Sequence, residues 1–289
     1  MWAGRKTLGP FFCAGGANGF TRGNRVSEIR MAPAGDKHYE ATVVERRDLS
    51  EDLWLVKVNP GGPFAFKAGQ YATLGVDHEG KRIERAYSIV SSPYEQEWLE
   101  FFIELVPQGE LTPHLYKLQP GDKLLCRKIA KGRFTLDLRS GRTNHLLLAT
   151  VTGLAPFVSY VRTLYKDWKS GGSPMPGNHR LFCLQGGSRS REFGYRDEME
   201  KFAAEAPWLK YVTTVSRPWE DVEWRGETGR VDDLIRKYTD VWGLEPEETT
   251  GYLCGHPSMV ENGRGILQRA GWKRDQMFEE VYFQPAKEE

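Results

Sequence analysis

The chain has 289 residues, enough for two hydrophobic cores rather than one. Lys plus Arg number 40 against 39 Asp plus Glu, with no basic run and no repeat array, so nothing global points to nucleic acid. No apolar run approaches the ~18 residues that span a membrane, and Cys13, Cys126, Cys183 and Cys254 stand too far apart for a CxxC or an iron–sulfur spacing. The default is a reducing cytoplasm, no disulfide framework and no metal.

Residues 1–36 differ from the rest. Gly, Ala and Asn are frequent, and Arg5, Lys6, Arg22, Arg25 and Arg30 face one acid, Glu28, before Asp36. The apolar stretch 8–14 is too short for a secretory signal, while Arg-rich and acid-poor is also the composition of a transit peptide. The expectation is a disordered extension, or the product of an upstream start with Met31 as alternative initiator. No function is assigned to it.

Residues 37–140 carry short, frequent strand signals: 39–45, 53–58, 71–76, 85–90, 98–105, 124–127 and 133–136, with Gly/Pro turns such as Asn59-Pro60-Gly61-Gly62-Pro63. In 98–105, Leu99, Phe101, Ile103 and Leu105 share one face, opposite Glu100 and Glu104. One short helix is expected at 112–117. Many short strands of this kind make a sandwich or a small antiparallel β-barrel.

The rhythm changes at Asn144. Buried strands at 145–150, 180–185, 209–215 and 251–254 alternate with helices at 154–168, 195–205, 231–238 and 257–270. That alternation indicates a doubly wound α/β domain on a parallel sheet, residues 141–289, whose ligands bind beyond the carboxyl ends of the strands.

Chemistry concentrates in a few stretches. In Arg85-Ala86-Tyr87-Ser88, a strand puts Arg85 and Tyr87 on one face and Ser88 on the other. An arginine can hold a phosphate, a tyrosine can stack on a flat heterocycle, and a serine can hydrogen-bond a ring nitrogen. A plain strand with a snorkelling arginine reads the same way. Gly109-Glu110-Leu111-Thr112 is a glycine turn into a helix start, where backbone N–H groups suit a pyrophosphate or simply begin a helix. Thr150-Val151-Thr152-Gly153-Leu154-Ala155-Pro156 lies at a strand-to-helix junction whose small residues admit a ligand to the backbone. Three loops at one sheet edge bring cations: Gly186-Gly187-Ser188-Arg189-Ser190-Arg191, Ser216-Arg217 and Gly229-Arg230. Such a clamp suits a 2′-phosphate, and no acid stands directly at the end of the third strand. In Cys254-Gly255-His256-Pro257-Ser258-Met259 a cysteine ends a strand and Pro257 opens a helix.

The order and content of these stretches, from about Tyr39 to Phe283, resemble the ferredoxin (flavodoxin)–NADP reductase family, bacterial type. Arg85-x-Tyr87-Ser88 is similar to its R-x-Y-S flavin motif, Gly109-x-x-Thr112 to its second flavin phosphate element, 151–156 to G-T-G-I-A-P, and 254–259 to C-G-x-P-x-M. Val151 departs from the pattern, where the family has glycine. The resemblance implies an FAD-binding barrel at 37–140 and an NADP-binding domain at 141–289. It implies hydride transfer between NADPH and FAD, then one-electron exchange with ferredoxin or flavodoxin as a transient partner of a monomer. FAD rather than FMN follows from the family type.

It further implies site roles. Tyr87 stacks on the flavin ring, Ser88 bonds its N5 edge and Cys254 lies beside the reacting nicotinamide carbon. Arg85, Ala86, Ile103, Glu104, Leu105, Glu110, Leu111 and Thr112 contact FAD. Thr152, Gly153, Arg189 (or Arg191), Ser216, Arg217, Arg230 and Gly255 contact NADP. A closing aromatic, Tyr282 or Phe283, lies near the flavin. Lys123, Lys128, Lys131 and Arg133 can meet an acidic carrier. The rival readings are an oxygenase- or flavin-type NAD(P)H reductase of the same superfamily, a non-catalytic flavin-binding module, and a plain two-domain binding protein.

Overall fold

The computed structural model describes residues 37–172 and 178–282. The expectations for residues 1–36 and for Phe283 lie outside the described residues.

Six strands, β1 (His38–Asp48), β2 (Leu53–Asn59), β3 (Tyr71–His78), β4 (Lys81–Ser88), β5 (Leu99–Glu104) and β6 (Lys123–Arg127), form an antiparallel sheet in the order β4-β3-β6-β1-β2-β5. The edge strands β4 and β5 return into contact, so the sheet curls into a barrel. Alternation explains its inside: Ala41 and Val43 of β1, Leu74 and Val76 of β3, and Leu99, Phe101 and Ile103 of β5 are buried in one core. Helix α1 is a single turn, Thr112–Leu115.

The second sheet is parallel, in the order β10-β9-β8-β7-β11-β12, built from β7 (Asn144–Thr150), β8 (Arg180–Gly187), β9 (Leu209–Val215), β10 (Glu227–Thr228), β11 (Thr249–Gly255) and β12 (Met277–Val281). Helices α2 (Ala155–Lys169), α3 (Arg196–Glu205), α4 (Ile235–Trp242) and α5 (Pro257–Arg269) cover it. Leu147 and Ala149 of β7 face the α2 side, and Leu146 and Leu148 face the α4 and α5 side. That two-sided burial makes β7 an unbroken apolar run. The expected architecture, an antiparallel barrel followed by a doubly wound parallel sheet, is present.

Four details differ from the sequence reading. Strand β4 begins at Lys81 and ends at Ser88; Ile89 is buried in the barrel core and Val90 in the core shared with α2. No strand forms at 133–136. That backbone is met by side chains of α2 and β11 instead: Tyr160 donates to the Phe134 carbonyl, and just beyond, the Asp137 N–H donates to Tyr252 Oη at 2.8 Å. Strand β12 was not read from the sequence. Finally, Glu100 is buried rather than solvent-facing. The outer face of β2 and β5, with Leu53, Leu55 and Phe102, packs into the same core as α2 and α3.

An ion network pins this junction. Arg162 of α2 meets Glu100 of β5 at 2.5 Å and both oxygens of Glu198 of α3 at 2.7 and 2.8 Å. Tyr195 donates to Glu100 at 3.1 Å and carries the Arg162 guanidinium over its ring at 5.2 Å. No helix among the described residues is long and apolar enough to cross a membrane.

Candidate functional site

The carboxyl ends of β7, β11 and β12 converge on the end of β4. Two glycines allow it. A Cβ on Gly153 would lie 2.1 Å from the Cys254 carbonyl oxygen, and one on Gly255 (φ +132°) would lie 2.2 Å from Thr150 Oγ1. Only bare backbone fits where the two loops cross. Thr150 Oγ1 accepts from the His256 N–H at 2.8 Å and locks the crossing. Val151, in the family's glycine position, holds φ at 42°. The tight turn therefore forms despite the valine, with a β-branched residue in left-handed backbone.

Four side chains meet there. Tyr282 Oη donates to Ser88 Oγ at 2.6 Å, and Ser88 Oγ donates to Glu280 Oε2 at 3.4 Å. Cys254 stands opposite Glu280 in the β11–β12 register. Burial pushes the Glu280 carboxyl up to about 7, with the Ser88 hydrogen bond pulling it back. Burial, reinforced by Glu280, holds the Cys254 thiol well above its ordinary value. Cys254 is thus a neutral thiol rather than a thiolate nucleophile.

Along β4, Arg85 is exposed and pairs with Glu110 at 2.5 Å, which Lys81 also holds at 2.9 Å. Tyr87 is half-buried against the barrel core, and burial raises its phenol. Ala86 is exposed, and Ser88 is buried with its hydroxyl against Glu280 and Tyr282. Ile103 and Leu111 are buried in the barrel core, Leu105 packs partly against it, and Glu104 stands exposed at the strand end. The Thr112 hydroxyl is engaged locally: it donates to the Val106 carbonyl and accepts the Val106 N–H, both at 3.0 Å.

The arginines divide. Arg189 pairs with Glu220 and, at 3.4 Å, with Glu192. Arg217 lies 3.6 Å from the same Glu220. Arg230 turns elsewhere, to Asp232 at 3.2 Å and Ser258 Oγ at 3.3 Å. Arg191 is exposed. Ser216 donates its N–H to the Gly187 carbonyl at 2.9 Å, which sets the two loops side by side. Arg189 and Arg217 thus share Glu220, and the Arg230 loop runs beside the Arg217 loop, the Gly229 N–H donating to the Val215 carbonyl at 2.9 Å. Thr152 is half-buried beside Gly153 at the crossing.

A cavity of about 320 Å³ lies elsewhere, between β1, β2 and β5 and the start of α3. Glu45, Arg47, Lys57, Arg162 and Asp197 line it with mixed charge, and none of the convergent groups above does. Among the described residues, no group of three or more His, Cys, Asp or Glu could hold a metal ion.

Residues 40–135 match the model for the oxidoreductase FAD-binding domain, and residues 147–264 that for the oxidoreductase NAD-binding domain. The ferredoxin–NADP reductase of Pseudomonas aeruginosa is 32% identical over 253 residues, 81% of this chain and 91% of that one. The chain belongs to the ferredoxin–NADP reductase family. Ferredoxin–NADP reductase A of Sorangium cellulosum is 32% identical over 81% of this chain and 84% of its own length. The reductase component of the naphthalene 1,2-dioxygenase system of Pseudomonas putida is 30% identical over 89% of this chain and 72% of its own. A ferredoxin NADP+ reductase from Neisseria gonorrhoeae, solved with bound FAD and NADP, shares the fold, with a TM-score of 0.74 at 24% identity over 86% of this chain and 99% of that one.

Within the family frame, sequence reasoning missed Glu280 and Glu220. The signal for Glu280 was its i−2 spacing from Tyr282 in a closing strand, which puts both on one face. For Glu220 the signal was its i+3 spacing from Arg217, while its second partner, Arg189, lies 31 positions away.

Proposed function

We propose that the protein is an NADPH-dependent flavoenzyme that exchanges electrons between NADPH and ferredoxin or flavodoxin. The observation that carries this is the convergence of Ser88, Cys254, Glu280 and Tyr282 beside the bare-backbone crossing of Gly153 and Gly255. In this reading the barrel, residues 37–140, holds FAD, and residues 141–289 hold NADP. The family-model matches at 40–135 and 147–264 support that division.

The residues present fit both groups. Arg85 stands exposed on the barrel with a carboxylate partner that a phosphate can replace, and Tyr87 offers a ring beside it. Gly153 and Gly255 let the two loops cross closely enough to set their backbone at the junction. Arg189 and Arg217 offer a paired cationic site for the 2′-phosphate, with Arg230 on the next loop. When bound, FAD supplies the conversion between a two-electron hydride donor and a one-electron carrier.

The chain's own part is placement and proton management. Ser88 holds a hydroxyl at the junction, oriented by Tyr282 and Glu280. Glu280, half-protonated near neutrality, can hold or release a proton at Oε2. Cys254 fills the strand end as a neutral, apolar surface and performs no nucleophilic step. Tyr282 caps Ser88 and excludes water from it. The exposed Lys131 and Arg133 suit an acidic carrier, while Lys123 is engaged by Thr42 at 2.8 Å. The buried free thiols of Cys126, Cys183 and Cys254 suit a cytoplasmic home.

The test is direct. The purified protein should be yellow, NADPH should bleach it in a stopped-flow instrument, and ferredoxin or flavodoxin should restore the colour. Ser88→Ala should keep the flavin and slow the bleaching. The similarity to a dioxygenase reductase component favours one alternative, an oxygenase-feeding reductase. Turnover with a dioxygenase ferredoxin but with neither ferredoxin nor flavodoxin of the ordinary kind would select that reading. A colourless protein that binds no FAD would overturn both.

A further inference from the structure

The loop that carries Arg217 also carries an anion. Pro218 opens a 3-10 turn, Pro218–Glu220, and the Glu220 N–H donates to the Arg217 carbonyl at 3.0 Å. The turn is tied to the neighbouring loop at three points. Ser216 N–H reaches Gly187 O at 2.9 Å, Arg217 N–H reaches Ser188 O at 3.1 Å, and the Asp221 carboxylate accepts the Ser190 N–H at 2.7 Å. Backbone on both sides thus fixes where the Glu220 carboxylate sits. It sits between two cations: one oxygen takes Arg189 Nη2 and the other lies 3.6 Å from Arg217 Nη1. Arg189 is drawn in further by Glu192, itself held by the Ser188 N–H at 2.7 Å.

Two arginines that share one carboxylate form the geometry a phosphate uses. A 2′-phosphate would bring near two negative charges to the place where Glu220 brings one. It cannot take both guanidinium groups while Glu220 keeps them. We propose that Glu220 is a specificity-determining residue, an intramolecular competitor that the 2′-phosphate must displace. It keeps the two arginines aligned and lowers the advantage of NADPH over NADH. The inference rests on the reading of Arg189 and Arg217 as the 2′-phosphate clamp. NADH has no group that needs those cations, so its binding does not involve the displacement.

The experiment is calorimetric titration of the full-length protein with 2′,5′-ADP and with 5′-AMP, which differ by the phosphate alone and undergo no redox chemistry. Wild type, Glu220→Gln, Glu220→Ala and Arg217→Ala are compared, each checked by its melting temperature. Releasing one charge-assisted contact corresponds to about a tenfold change in affinity. Glu220→Gln and Glu220→Ala should therefore bind 2′,5′-ADP about tenfold tighter, with 5′-AMP unchanged. Their 2′,5′-ADP affinity should also fall more steeply with salt, because two uncompensated cations then meet the phosphate; a purely structural glutamate would leave that slope alone. Equal or weaker 2′,5′-ADP binding in both variants, with wild type still preferring 2′,5′-ADP, would overturn the role of Glu220 and leave the clamp standing. Equal binding of both nucleotides by wild type, unaltered by Arg217→Ala, would overturn the clamp and the inference together.

Discussion

Tyr282 donates a 2.6 Å hydrogen bond to Ser88, 194 positions earlier in the chain. One residue closes the last strand of the parallel sheet and the other closes a strand of the barrel. Their contact, with Glu280 against the same serine, makes a site out of two domains that each lack it.

Glu280 gives that site a pH dependence. An unfolded glutamate loses its proton near 4.5, while the folded Glu280 keeps its proton up to about 7. Between those values the folded chain binds more protons, so this group's contribution to stability falls as pH rises through the window. Glu280→Gln should flatten that part of a urea-denaturation profile. In the flavin-loaded protein it should also remove an inflection near neutrality from the rate of reduction by NADPH. An identical profile in the variant would show that another group titrates.

His145 has the opposite sign. It is fully buried at the start of β7, with Nε2 2.9 Å from His179 Nδ1. Burial, then the charge of His179, depresses it from 6.5 to about 3. The unfolded chain takes up a proton first, so stability is intact above 6.5 and lost as pH falls toward 3. His145→Gln should make unfolding less steep across that range, and parallel acid curves for the two proteins would refute the assignment.

Arg162 tests the junction between the sheets. It is the cation shared by the buried Glu100 and by Glu198. Arg162→Met leaves Glu100 without its counter-charge and should cost about 3–5 kcal/mol in denaturant unfolding. Arg162→Met with Glu100→Gln should recover part of that loss. A double variant no better than the single one would mean that packing, and not the stranded carboxylate, sets the cost.

Val151 holds left-handed backbone at φ 42° while packing partly against the shared core. Strain of that kind costs about 1–3 kcal/mol, which offsets what the isopropyl group contributes. Val151→Gly should then be neutral or stabilising by up to about 1 kcal/mol, although a valine truncated in ordinary backbone costs about 1–3 kcal/mol. A melting temperature several degrees lower would show that the side chain contributes more than the strain takes away.

Arg85 separates flavin affinity from folding. Both it and Glu110 are about half exposed, so solvent screens their ion pair and it adds little to stability. The loss in Arg85→Ala should appear in FAD titration of the apoprotein instead, on the order of 1.5–3 kcal/mol. Equal FAD affinity in wild type and variant would remove Arg85 from the phosphate site.

What the sequence alone determined is whatever depends on neighbours in the chain. Two-residue alternation around Ala41, Val43, Phe101 and Ile103 specified a sandwich or small barrel, which the family resemblance narrowed to a barrel, and the apolar run of β7 with the helices that follow specified a parallel sheet with ligands at its carboxyl edge. The glycines at 153 and 255 marked places of close backbone approach, and the structure shows that what approaches each is the other loop. Tertiary structure decided whatever depends on charge and burial across the fold. Glu100 reads as a solvent-facing residue until α2 and α3 cover it and Arg162 neutralises it. Residues 133–136 read as a strand until Tyr160 and Tyr252 claim that backbone. Arg189 and Arg217 read only as cations on neighbouring loops until the turn at Pro218 carries Glu220 between them. Glu280, 192 positions from Ser88, acquires its raised pKa only from the burial that folding imposes. Local periodicity is written in the order of residues, whereas desolvation and ion pairing depend on which distant residues share a volume.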